Sequence, residues 1–188
     1  LRRQPGLEKR RTKVVGNADW LLRWPLSPWL VDGVLLLVCD VTRLSNQSDR
    51  RDKIQKRLVE YVRKGGLLIT GHDIPYRRLK NARLQNVIGF QSTRFARVER
   101  DQPVTYSRYS GPRKTSNEAL FKALPPTLSL LDKEVVRGAP SADVEFLYTW
   151  SDKPDKIWPI EGDIPLMTRR SHVGGVVYWI NSGDQDEA

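Results

Sequence analysis

Residues 52–90 read DKIQKRLVEYVRKGGLLITGHDIPYRRLKNARLQNVIGF. A helix over about Arg50–Lys64 is predicted, because Ile54, Leu58, Tyr61 and Val62 fall at i, i+4, i+7 and i+8 and make one apolar stripe. Its many Arg and Lys lie off that stripe, as on a solvated face. Ser48 or Asp49 can accept the first free amide hydrogens. Lys64 suits the negative end of the helix, and Gly65 can take the left-handed cap. Leu67–Thr70 is then a short buried strand. After Gly71-His72-Asp73, a second helix runs from Pro75 or Tyr76 to Ile88, with Leu84, Val87 and Ile88 on its apolar side and Gly89 as its stop.

Upstream lies Val34–Cys39, the longest unbroken apolar run, which suits a strand covered on both faces. Strand, helix and strand with short links form a βαβ unit, with parallel strands and a right-handed crossover. Val14–Leu30 holds Trp20, Trp24 and Trp29, with a short helix over Trp20–Trp24 ended by Pro25. These rings could close one side of a core or stack on bases or sugars. Downstream the pattern changes. Short β-like segments occupy Phe95–Tyr109, a helix Asn117–Leu124, and strands Leu128–Arg137 and Val144–Thr149. A polar loop over Trp150–Asp163 precedes two last strands, Ile164–Thr168 and Val176–Ile180.

The chain of 188 residues has a net charge of +10 and is 39% hydrophobic, enough for one core. Residues 1–13 form a basic arm or linker with six cations and one acid, and 14–188 read as a single domain. The six-residue apolar run cannot span a bilayer, so no membrane partner is expected. The absence of an initiator Met and of a signal-peptide pattern points to a fragment or processed chain, and the single Cys to a cytoplasmic setting without disulfides. Cys39 reads as a buried thiol. Residues 1–113 carry 24 Lys/Arg against 10 Asp/Glu, and the remainder 8 against 12. A basic half of this kind can serve an anionic partner, solubility, or contact with the acidic half.

Three pieces carry a likeness: VLLLVCDVTRLS (34–45), KRLVEYVRKGGLLITGHD (56–73) and IPLMTRRSHVGGVVYWINSGD (164–184). Together they resemble the class I glutamine amidotransferase-like superfamily, and within it the trehalose-utilisation-type (ThuA-like) proteins. The resemblance implies an α/β fold: a flavodoxin-like, mostly parallel sheet with helices on both faces and some antiparallel additions. It also implies a Gly-x-Cys-x-Gly elbow after the strand matching Leu67–Thr70. Gly71-His72-Asp73-Ile74-Pro75 stands there instead, so glutaminase activity is not expected.

Open parallel sheets bind ligands beyond the carboxyl ends of their strands. That rule gathers Asp40 and Thr42, His72 and Asp73, and Asn181, Ser182 and Asp184 on one rim. The helix starting near Tyr76 would aim its positive end there, with Arg77 and Arg78 in its first turn, which suits a bound anion. The leading expectation is a module holding a small anionic or sugar-like ligand, or a protein partner or second copy. His72 could instead be a general base with Asp40 or Asp184 in a hydrolase, with Asp73 turned elsewhere. No cofactor is predicted, though His72 with Asp40, Asp73 or Asp184 could hold a divalent metal. In the bland alternative His72 and Asp73 cap the loop and the following helix. His172 reads as an exposed turn residue. The cations of Arg77–Arg83, with Arg94, Arg97 and Arg100, leave nucleic acid as a further partner.

Overall fold

In a computed structural model, residues 19–36, 45, 47–75, 78–97, 103–131, 134–151 and 163–183 are described. The basic arm 1–13, Cys39 and most of the loop 150–163 lie outside them. Helix α1 (Asp19–Arg23) leads into strand β1 (Gly33–Leu35), then α2 (Ser48–Arg63), β2 (Leu67–Thr70) and α3 (Arg78–Ile88). Strands β3 (Phe90–Arg97) and β4 (Val104–Arg108), helix α4 (Glu118–Ala123) and strands β5 (Thr127–Leu130) and β6 (Glu134–Pro140) follow. Strands β7 (Glu145–Trp150), β8 (Pro165–His172) and β9 (Gly175–Ile180) complete the chain.

The protein is α/β with a mixed seven-stranded sheet in the order β1-β2-β9-β8-β7-β4-β5, and β3 pairs with β6 in a separate ribbon. The expected β1–α2–β2 unit is present, and β1–β2 and β2–β9 are parallel. Every other pairing of the sheet is antiparallel, so the mostly parallel, flavodoxin-like arrangement is not what forms. The reason is local. Val173-Gly174 is a two-residue turn, which can join only antiparallel strands. The expected strand Leu128–Arg137 likewise divides into β5, in the sheet, and β6, in the ribbon.

Alternate residues of β9 serve two cores. Val177 and Trp179 face Ile54, Leu58, Leu84 and Ile88 of α2 and α3. Tyr178, on the other face, packs with Leu147, Leu166 and Leu120 of α4. Trp20 is half-buried against the first cluster, whereas Trp24 and Trp29 are exposed.

Helix α2 ends as the sequence foretold but begins otherwise. Its N-cap is Gln47, which makes no side-chain cap bond, in place of Ser48 or Asp49. At the other end Gly65 has φ +104°; its amide bonds Val62 O and the Gly66 amide bonds Tyr61 O, a Schellman close. The β8–β9 hairpin sits directly on this end. A Cβ on Gly175 would lie 2.2 Å from Val62 O and 2.4 Å from Gly66 O. The glycine pairs 65–66 and 174–175 are therefore one contact seen from two sides.

Candidate functional site: the strand-end rim and a cationic groove

Parallel pairing carries the carboxyl ends of β1, β2 and β9 to the same edge of the sheet. The turn Gly71–Asp73 and residues 181–182 meet there, joined by the Trp179 indole N–H donating to His72 O at 3.3 Å. Asp40, Thr42, Arg77 and Asp184 fall outside the described residues, as does the Arg78 side chain.

Of the described rim residues, His72, Asp73 and Asn181 are buried. His72 is 2% exposed, and its Nδ1 lies 2.9 Å from Asp73 Oδ1. Asp73 is thus engaged with its neighbour rather than turned away. A general base must reach the proton it removes, and this imidazole is covered. Asn181 is fully buried and its amide is committed to backbone. Its Oδ1 accepts from Val136 N at 2.7 Å, while its Nδ2 donates to Val136 O at 2.9 Å and Pro165 O at 2.8 Å. Asn181 therefore clips the ribbon to the end of the sheet. Ser182, beside it, is half-buried. Among the described residues no group of three His, Cys, Asp or Glu side chains gathers as a metal site would require.

A second region lies on the outer side of α2 and α3. There a groove of about 840 Å3 runs along α2, walled by residues 25–27, by α3 and by the end of β8. Lys56, Arg57, Arg63, Lys64 and Arg83 line it against a single carboxylate, Glu60. Several of these cations are held in place. Arg57 donates to Leu22 O at 2.9 Å and to Trp24 O. Asp52, at the border, holds Lys56 at 2.9 Å and Arg83 Nε at 2.5 Å, and these bonds keep its carboxyl below the usual carboxylate range. Lys64 lies 3.2 Å from Glu60.

Helix α3 is shaped to present Arg83. It breaks at Asn81 (φ −123°, ψ 23°), and the buried Gln55 of α2 then accepts from Arg83 N at 3.2 Å. Arg170 closes its far end by donating to Asn86 O and to Val87 O at 3.1 Å, while Asp143 holds the same guanidinium at 2.9 Å.

His172, expected as an exposed turn residue, instead ends β8 half-buried and lines the groove. Burial pushes its pKa down, and Arg170 and Arg63 push it further; Asp143 opposes them. Apolar positions complete the groove. Leu26 and Val59 pack on the core below and expose their outer surfaces to it. Sequence reading missed this site because its cations were assigned to a solvated helix face. The usable signal was the run Lys56, Arg57, Glu60, Arg63 and Lys64 at helical spacing on one side of α2.

No family model matches the sequence, and no curated protein matches it. Solved structures do. The cytoplasmic protein STM3548 from Salmonella typhimurium is similar with a TM-score of 0.58 at 13% identity, over 86% of this chain and 65% of that one. The cytoplasmic protein STM1381 from Salmonella typhimurium LT2 gives 0.56 at 14%, over 93% and 79%. The exo-beta-1,4-mannosidase Op5Man5 from Opitutaceae bacterium strain TAV5 gives 0.51 at 16% over 83% of this chain. The chain spans only 21% of that mannosidase. At such identities the likeness concerns the fold alone. Among the described residues no helix is long and apolar enough to cross a membrane.

Proposed function

We propose that this chain is an amidotransferase-like binding module without the glutaminase nucleophile, and that it holds a small anionic ligand. The site is the groove along α2, not the rim at the strand ends. The observation that carries the reading is the set of five cations lining one groove, against Glu60 in its lining and Asp52 at its border. Ligand sites typically occupy roughly 300–1,000 Å3, and the groove is of that size. One feature argues for binding over hydrolysis with His72 as general base: the cover over that imidazole.

Binding of small anions at low salt, followed calorimetrically across rising sodium chloride, tests the reading. Affinity falls as salt rises if the cations carry the contact. Failure of every anion to bind at low salt would end the proposal.

A second reading, contact with a nucleic-acid backbone, draws on the same cations and on the net charge of +10.

A further inference from the structure

We infer that the groove takes an organic polyphosphate: an apolar or aromatic body bearing two or more phosphate groups, with the phosphates laid along α2. The inference rests on the anion-binding reading and narrows it to one ligand class.

Length is the first argument. Lys56 and Lys64, the C-cap of α2, stand eight residues apart, so the cationic line is about 12 Å long at 1.5 Å per residue. One phosphate cannot touch both ends, whereas a chain of two or three reaches most of the line.

Charge is the second. Glu60 stands in the middle of the line and would repel an anion, but Lys64 lies against it, and Asp52 similarly offsets part of Lys56 and Arg83. Arg57 is fixed by carbonyl oxygens, which orient the guanidinium without neutralising it. A guanidinium held in one orientation can offer paired N–H groups to phosphate oxygens.

Apolar surface lies between the charges. Leu26 and Val59 give the groove an apolar surface that inorganic phosphate would leave wet. An organic body covers it and gains from its burial.

The test is calorimetric titration of the whole chain, metal-free and at low salt, with adenosine, AMP, ADP, ATP and tripolyphosphate. Affinity should climb with phosphate number, by about tenfold from AMP to ATP, as one added charged contact provides. Adenosine should give no measurable binding, and tripolyphosphate should bind several-fold more weakly than ATP. Arg63→Gln and Lys56→Gln, both at exposed positions, should each weaken ATP about fivefold or more, with unchanged melting. Leu26→Asn should bring ATP down to the level of tripolyphosphate.

Citrate or oligoglutamate binding as well as ATP would overturn the phosphate class and leave anion binding intact. A single-stranded oligonucleotide gaining affinity beyond the length of the groove would overturn the small-ligand inference and give the cations to nucleic acid. No binding by any of these compounds would overturn both readings.

Discussion

The rim and the groove hold the same kinds of side chain and use them in opposite ways. At the rim, His72 faces Asp73 under cover, and Asn181 spends its whole amide on Val136 and Pro165. In the groove, carbonyl oxygens hold Arg57, and Asp52 and Glu60 hold Lys56, Arg83 and Lys64, yet the five cations still line an open surface. A polar residue at the end of a strand therefore need not be a ligand residue. What decides is whether its hydrogen-bonding capacity is already spent inside the fold.

Substitutions on the two sides should separate stability from binding. The largest effect is expected for Asn181→Leu. It leaves Val136 N, Val136 O and Pro165 O without their partner, at roughly 1–3 kcal/mol per buried group, so about 4 kcal/mol in all. Denaturant unfolding reads this loss, and anion affinity measured below the transition should not change. Altered affinity with intact stability would reverse the roles assigned to rim and groove.

Gly175→Ala comes next. The added carbon would meet two backbone oxygens, of Val62 and Gly66, which cannot swing aside. A loss of about 3 kcal/mol is expected, at the upper end for overpacking. A cost of a few tenths would mean that the hairpin can lift off α2, with the groove changing shape as it does.

Glu145 shows the inward use of charge elsewhere in the sheet. Burial alone would raise its carboxyl. Bonds from the Ser116 hydroxyl and amide, from Arg169 and from Thr115 outweigh that and hold it below the usual carboxylate range. A depressed folded value stabilises at pH above the unfolded pKa, and this contribution disappears as pH falls through the folded one. Glu145→Gln should cost about 1 kcal/mol at neutral pH and flatten the acid limb of the stability profile. An unchanged acid limb would remove Glu145 from that role.

The smallest stability effect belongs to Arg63→Gln. An exposed side chain away from the core should move stability by no more than about 0.5 kcal/mol. Its influence should appear in anion affinity alone.

Much of the fold near the opening stretch could be read from periodicity and glycine. The stripe Ile54–Val62, the stop at Gly65 and the strand Leu67–Thr70 all formed where expected. Partners distant in sequence were not legible. Nothing near Asn181 announces that Val136, 45 residues away, takes its amide. Nothing near Arg170 announces that it closes α3. The hairpin over Arg169–Gly175 was legible, although its strands run further than expected and leave a turn of only two residues. The antiparallel pairing of β7 with β8 and with β4 was not, because it joins segments distant in sequence. The groove was hidden for a related reason. Charged residues off an apolar stripe look like ordinary solvated surface until residues 25–27 and the end of β8 are seen to wall them in.

Amide chemical-shift mapping during an ADP titration distinguishes a ligand seat along α2 from one at the strand ends. Shifts confined to residues 56–64, 83–87 and 172, with Gly71–Asp73 and Asn181–Ser182 unmoved, are the predicted result. Shifts centred on Gly71–Asp73 and Asn181–Ser182 would contradict the seat along α2 and restore the rim as the binding site.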